Sequence, residues 1–303
     1  MAAEILVVGS LGYDSISTPE GAKENILGGS ANYFSLAASK YSKVNVVGVV
    51  GDDYQESDKQ LLIDNNVDLE GMQQQAGKTF HWEGKYEGDM NEAITLNTEL
   101  NVFENFNPTI PDKYKTSEYV FLANIDPVLQ LEVLEQVQKP KLVGVDTMNF
   151  WIKSKRDELK KVFSKVDVLL INEGEARDLT GKWNGVDAIE ELAAMGPKAV
   201  VIKRGEYGFM LFSEGQYFML PAFPVKRVVD PTGAGDTFAG GFFGYLSKSS
   251  QPLSLAQLKS ACVHGCLMAS FTVQGFGVEP LSKLTWADIE KRHAEYQKVV
   301  SYN

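Results

Sequence analysis

Cysteine and histidine are scarce in this chain, with two and three among 303 residues. Cys262 and Cys266 stand four apart on what reads as one helix, a poor geometry for a disulfide. They are expected as small, buried apolar side chains. His264, between them, points to nearly the opposite helix face, which argues against a zinc site built from these three. Long apolar runs are missing as well. No stretch of 18 apolar residues occurs, which argues against a membrane-spanning helix. Met1–Val8 has no basic segment followed by a long apolar one, so a cytoplasmic protein with no membrane partner is expected. Positive charge is in deficit, with 29 Lys and Arg against 40 Asp and Glu and a net charge of −11. No basic cluster is large enough to form a nucleic-acid face, and no nucleic-acid partner is expected. A small phosphate-bearing ligand remains compatible with this charge, because backbone amides hold one locally. Two phosphate-binding signatures are absent. There is no Gly-x-x-x-x-Gly-Lys-Ser/Thr, which excludes a P-loop kinase, and no Gly-x-Gly-x-x-Gly follows the first strand, which disfavours a dinucleotide oxidoreductase.

What is present is an ordinary globular composition, 44% hydrophobic, at a length that suits one α/β domain with a small appendage. Glu4–Gly9 and Val44–Val50 read as buried strands, and Ser30–Ser39 and Gln55–Asn65 as helices. From Val67 to Phe106 helical periodicity disappears. Ile94, Leu96, Leu100 and Val102 alternate with polar residues, the mark of a sheet covered on one face. Phe80, Trp82 and Tyr86 fall on one face of an extended segment. After Pro111, strands at Tyr119–Ala123, Lys141–Asp146, Val168–Asn172 and Ala199–Lys203 alternate with helices. A hairpin follows at Gly208–Leu220, and then two helices, Gly233–Ser247 and Leu255–Thr272. Such alternation implies a mostly parallel sheet covered on both faces. The expected division is an α/β domain of residues 1–66 and 107–303, with 67–106 inserted as a small β unit.

The most informative stretch is Asp230-Pro231-Thr232-Gly233-Ala234-Gly235-Asp236-Thr237-Phe238-Ala239-Gly240-Gly241, which opens a helix. The first turn of a helix carries free N–H groups and a partial positive charge. Gly233, Ala234 and Gly235 let an anion approach those amides, and Asp236 stands beside the same place. The arrangement suits phosphoryl transfer, with amides stabilising the moving group and an aspartate taking the proton of an attacking hydroxyl.

That stretch resembles the signature of the ribokinase, or pfkB-type, carbohydrate kinases, Asp-x-Thr-Gly-Ala-Gly-Asp-x-Phe. The resemblance runs along nearly the whole chain. It implies a ribokinase-like α/β fold with a mostly parallel central sheet, helices on both faces and a small β lid. The implied activity is transfer of the ATP γ-phosphoryl group to a hydroxyl of a sugar or sugar-containing molecule, with Mg2+ and, in some relatives, a monovalent cation such as K+. A nucleoside kinase of the same fold and a non-catalytic sugar-binding protein are the alternatives. Asp236 is the implied base, with Gly233, Ala234 and Gly235 as its anion hole. Asp14, in Gly9-Ser10-Leu11-Gly12-Tyr13-Asp14, matches the acceptor-binding aspartate, and a carboxylate suits a vicinal diol.

Gly28-Gly29-Ser30-Ala31-Asn32-Tyr33 resembles the pattern Gly-Gly, three variable residues, Asn. It departs from that pattern, because Tyr33 stands where the asparagine belongs and Asn32 comes one residue early, so Tyr33 is expected to shape the pocket. Asn172-Glu173-Gly174-Glu175 resembles Asn-x-x-Glu, which supports magnesium through water. This implies a metal role for Glu175 and Asn172. Lys203, Gly205 and Gly208 resemble the nucleotide-lining loop, His264 stands where the family often has an asparagine near adenine, and Asn172 with Thr232, Gly233 and Gly235 of the signature are also implied to bind the nucleotide. Trp82 is lid core, a dimer contact or a stacking surface for the acceptor. Asn124 and Asn149, after strands, are further candidates for contacting it. The lid implies a homodimer formed through lids. No obvious arginine stands near Asp14, Gly29 or Asn149, which favours an uncharged acceptor.

Overall fold

The computed structural model describes residues 4–249, 251 and 253–301. The reading of Met1–Val8 therefore lies partly outside the described residues. In chain order the elements are β1 (Ile5–Val8), β2 (Gly12–Thr18), β3 (Gly21–Gly28), α1 (Ser30–Ala38), β4 (Val44–Val50), α2 (Glu56–Asp64), β5 (Val67–Gln74), β6 (Phe80–Lys85) and β7 (Ile94–Glu99). These are followed by β8 (Tyr119–Leu122), α3 (Pro127–Gln136), β9 (Leu142–Val145), α4 (Asn149–Ser154), α5 (Arg156–Phe163), β10 (Val168–Asn172), α6 (Glu173–Thr180), α7 (Gly185–Ala194) and β11 (Ala199–Lys203). The chain ends with β12 (Phe209–Ser213), β13 (Gln216–Leu220), α8 (Ala234–Lys248), α9 (Leu255–Thr272), α10 (Glu279–Ser282) and α11 (Trp286–Val300).

Nine strands form one sheet in the order β13-β12-β11-β10-β9-β8-β1-β4-β5. It is parallel from β5 to β11, and the β12–β13 hairpin closes it antiparallel. Strands covered on both faces need apolar residues at every position, and Ile5–Val8 and Val44–Val50 are buried throughout. Period-two alternation sorts those residues into two cores. Ile5, Val7, Val44 and Val46 join α1, α8 and α9 on one face. Leu6, Val8, Val47 and Val49 pack on the other with α3, α5 and α7. Phe34, Phe121 and Phe243 form an aromatic contact within the first core, with Phe34 and Phe121 stacked at 4.5 Å between centroids.

The second sheet differs in membership from the expected 67–106 insertion. Its order is β3-β2-β6-β7. β5 instead pairs parallel with β4 at the edge of the large sheet. An edge strand is covered on one side only, so its amphipathic pattern looked like that of an appendage strand. The polar sequences of β2 and β3, GYDSIST and GAKENILG, carry almost no apolar alternation, so periodicity does not reveal them. The expected stripe of Ile94, Leu96, Leu100 and Val102 also breaks up. Ile94 and Leu96 stand exposed on the edge strand β7, Leu100 is exposed just past it, and Val102 turns into the core of the large domain. Among the described residues, no helix is long and apolar enough to cross a membrane.

Candidate active site

Parallel strands end together along one edge of a sheet, and ligands of α/β folds gather there. At that edge stand Asp146 after β9, Asn172 closing β10 and Lys203 closing β11. The amino terminus of α8 faces them. Gly233 is its N-cap, with a φ of 71° that favours glycine. A side chain at Gly233 would also collide with the ring of Tyr33. Asp236 follows in the first turn. Of the amides there, that of Ala234 turns back on the Pro231 carbonyl at 3.1 Å. A Cβ at Gly235 would lie 3.0 Å from Lys203 Nζ, so the lysine ammonium sits directly against the glycine turn.

Lys203 is ion-paired with Asp146, Nζ to Oδ2 at 2.5 Å, with side chains 14% and 7% exposed. Burial works against the ammonium, but the charges of Asp146, Glu175 and Asp236 outweigh it and hold its pKa above the ordinary value. Glu175 does two things at once. It completes a capping box with Asn172, whose side chain accepts from the Glu175 N–H at 2.7 Å while Glu175 Oε2 accepts from the Asn172 N–H at 3.0 Å. Glu175 is also buried beside Asp146, Lys203 and Asp236. Burial, and then the charge of Asp146, raises its pKa. Asp236 is pushed up to about 7 by burial and by Asp146, against the pull of Lys203 and of its own amide.

On the other side of the α8 terminus lies a second acidic group. Asp14, on β2, is 4% exposed and packs tightly on Gly28. Burial first, then the charges of Asp230 and Asp236, push it up to about 8, and the Gly29 amide counteracts them. Asp230 is 1% exposed. It accepts from the Thr232 N–H at 2.8 Å and the Gly277 N–H at 3.0 Å, which ties the 273–277 loop to the glycine turn. Tyr86, just past β6, receives a hydrogen bond from Thr232 Oγ1 at 3.2 Å and so links the small sheet to the same turn. Among the described residues, no group of three or more His, Cys, Asp or Glu is placed to hold a metal ion directly. The acids line a cleft instead of converging on one point. Chemically, the cleft offers an aspartate near neutrality, a buried ammonium at a helix terminus and a recessed carboxylate able to accept hydroxyl protons.

The sequence matches the profile of the pfkB family carbohydrate kinases over residues 2–284. The chain belongs to this family. A cytidine kinase from Thermococcus kodakarensis is 33% identical over 252 residues, covering 81% of this chain and 89% of that protein. A nucleoside kinase from Methanothermobacter thermautotrophicus is 26% identical over 291 residues, covering 91% of each. Among solved structures, the adenosine kinase of Sinorhizobium meliloti shares the fold, with a TM-score of 0.81 at 18% identity over 97% of this chain and 100% of that one. As a pfkB kinase the protein is a phosphotransferase with a hydroxyl acceptor.

The structure of this pfkB kinase brings Asp14, Gly28, Gly29, Tyr33, Thr232, Gly233, Gly235, Asp236, Glu175, Asn172 and Lys203 to one cleft. The β2–β6 register sets Trp82 beside Asp14, but the indole N–H is engaged with Thr95 Oγ1 on the neighbouring strand. Gly205 and Gly208 form the turn after β11, closed by the Arg204 N–H to the Gly208 carbonyl at 2.8 Å.

Several expected contacts are spent elsewhere. Asn32 is fully buried, donates to the Gly28 carbonyl at 2.6 Å and faces Tyr54. Asn124 holds α4 in place, accepting from Trp151 Nε1 at 2.9 Å. Asn149 is exposed in the first turn of α4. His264 stacks on Tyr245 and His293 and shares a hydrogen bond with the Tyr41 hydroxyl, on the α9 face turned to α8 and α11. Helix packing claims that ring, not the turn at Gly205. Cys262 and Cys266 are free and buried.

Sequence reasoning missed Asp146, Tyr86 and Asn91. Asp146 carried one usable signal, a carboxylate directly after a buried strand. Asn91, in the β6–β7 loop, lies against Gly205, and Glu92 approaches Gly174 at 3.4 Å from where its Cβ would stand. The small sheet therefore reaches across to the β10 and β11 ends, a long-range contact that local sequence does not signal.

Proposed function

We propose that the chain is a nucleoside kinase that moves the γ-phosphoryl group of ATP to a sugar hydroxyl, with Asp236 as general base. The observation that carries this reading is Asp236 in the first turn of α8, buried beside Gly235 and the Lys203–Asp146 pair, with its pKa near neutrality. A base works best when its pKa lies near the working pH. In the reaction the acceptor O–H gives its proton to Asp236 as its oxygen bonds to the γ-phosphorus. The bond from that phosphorus to the bridging oxygen breaks, and ADP leaves. Lys203 and the Gly235 amide would face the developing negative charge, while the Ala234 amide is held by the Pro231 carbonyl.

A nucleoside is favoured over a free sugar by the extent of similarity. The cytidine and nucleoside kinases align over 81% and 91% of this chain, whereas relatives that carry a ribokinase align over 57%, 39% and 27% of it. A phosphorylated acceptor is disfavoured by the charges around Asp14. The charged groups that move its pKa are Asp230 and Asp236, both acidic.

The donor set fits magnesium held through water. Glu175 and Asn172 would orient that water, and the ion would spread the charge of the phosphate oxygens. Asp230 is buried and accepts from the Thr232 and Gly277 amides, so its charge would suit a monovalent cation such as K+ near the 273–277 loop. Replacing K+ by tetramethylammonium should then slow turnover. The small sheet is read as a lid over the acceptor. Its edge strand β7 leaves Ile94 and Leu96 43% and 52% exposed, a surface suited to a second lid in a homodimer. A monomer by light scattering at micromolar concentration would refute the dimer. ADP release with cytidine, uridine, adenosine, ribose, fructose and ribose 5-phosphate tests the function. Turnover confined to the free sugars or the sugar phosphate overturns the nucleoside assignment.

A further inference from the structure

Among the described residues several buried polar atoms have no hydrogen-bond partner, and the Tyr33 hydroxyl is the one whose ring lies on the glycine turn of α8. Tyr33 is 1% exposed, and its hydroxyl makes no hydrogen bond within the chain. Its ring lies across Gly233, where any side chain would collide with it. Burial first, and then the charges of Asp14, Asp230 and Asp236 with the Tyr86 hydroxyl, act on its hydroxyl and raise its pKa. Two of the groups around it are engaged elsewhere. Asp230 accepts from two backbone amides, and Tyr86 receives the Thr232 hydroxyl. A buried hydroxyl left without a partner pays its full desolvation cost, and such groups are rare enough to need a reason. The ring alone would fill the same space as phenylalanine without that cost. The tight fit over Gly233 also leaves the hydroxyl little freedom to turn to another acceptor.

We propose that Tyr33 is a specificity-determining residue whose hydroxyl donates to an oxygen of the acceptor, beside the hydroxyls that Asp14 accepts. The proposal rests on the acceptor reading above. Asp14 accepts protons and Tyr33 supplies one, so together they recognise a polyhydroxylated ring by both roles of its oxygens. An acceptor with hydrogen in place of one such oxygen leaves a donor or an acceptor of this pair unmatched, and binding discriminates strongly in that situation. Tyr33 thus selects by hydrogen bonding, while Gly233 fixes where the donor stands.

The test is Tyr33→Phe, which keeps the ring and its packing on Gly233. Acceptor KM should rise by about tenfold, the loss of one hydrogen bond, while KM for ATP stays within twofold. The melting temperature should hold or rise, because an unsatisfied buried group has been removed. The preference for a ribonucleoside over its 2′- or 3′-deoxy analogue should shrink for one of the two, which identifies the oxygen. An unchanged acceptor KM and unchanged discrimination overturn the Tyr33 assignment alone. A lowered melting temperature with unchanged kinetics also overturns it, since the hydroxyl then serves the fold through buried water. Absence of turnover by the unaltered enzyme with every acceptor overturns both this proposal and the acceptor reading.

Discussion

Asp146→Asn should move the acid limb of the pH–rate profile to lower pH. In the native cleft Asp146 acts on Asp236 in two ways. Its charge is the largest contribution after burial to the raised pKa of Asp236, and it is paired with Lys203, which pulls the other way. The substitution removes the repulsion and frees the lysine to act on Asp236, so both changes favour the carboxylate. Asp236 stands near 7 with Asp146 charged. An adjacent charge commonly moves a carboxylate by about 1–3 units, equivalent to about 1.4 kcal/mol per unit. The midpoint should therefore fall by at least about one unit. Activity that needs ionised Asp236 rises with pH through that midpoint, so the variant should retain rate near pH 6 where the native enzyme loses it. Its maximal rate should nonetheless drop, because Lys203 loses the partner that aims it at Gly235. Removing one member of a buried ion pair costs about 3–5 kcal/mol when nothing replaces it. The asparagine still offers an oxygen to Lys203, so the stability loss should fall below that range. The pH dependence of kcat/KM for ATP from pH 5 to 9, which reports the free enzyme, with thermal unfolding in parallel, decides the matter. An acid limb that stays in place in a folded variant would show that Asp236 is not the group whose ionisation limits the rate.

Three further outcomes follow from the same geometry. Asp236→Asn keeps the shape and removes the base, and kcat should fall roughly 10²–10⁴-fold with little change in acceptor affinity, measured by steady-state kinetics and calorimetry. Glu175→Gln should raise the Mg2+ concentration for half-maximal rate, because the capping bond survives in the amide while the charge beside Asp146 and Lys203 is lost; an unchanged magnesium titration would leave Glu175 as a helix cap only. Gly205→Ala puts a methyl group where Asn91 rests, at a φ of 53° that disfavours any side chain, so the β6–β7 loop should lift. Acceptor KM and acceptor-free ATP hydrolysis should both rise, and hydrogen exchange in residues 86–93 should speed up.

The large sheet was legible because its strands are continuous apolar runs separated by amphipathic helices, a pattern that parallel pairing requires. The glycine turn that opens α8, with Asp236 in its first turn, was legible because it is one contiguous string. The small sheet was only half visible. β6 and β7 carry some alternation, whereas β2 and β3 are held by pairing with each other and with β6, not by a buried apolar face of their own. Helix α11 was also unread. It is largely polar and buries only Ile289 and Tyr296 fully, too faint a stripe to declare itself. Within the site, the choice of Asn149 over Asp146 shows the limit of reading strand ends. Both follow β9 by a few residues, and only the ion pair to Lys203, 57 positions away, tells which one turns into the cleft.

The cleft as a whole holds five buried or half-buried carboxyl groups, Asp14, Asp146, Glu175, Asp230 and Asp236, around one buried ammonium, Lys203. The raised pKa values of Asp14, Glu175, Asp230 and Asp236 are the physical expression of that imbalance, since burial and mutual repulsion both favour the neutral acid. Magnesium and the triphosphate would bring charges of both signs to these carboxyl groups, a cation lowering each pKa and a phosphate oxygen raising it. Lys203, set against Gly235, is the group placed to offset phosphate charge beside Asp236, so its ion pair with Asp146 governs how readily Asp236 ionises.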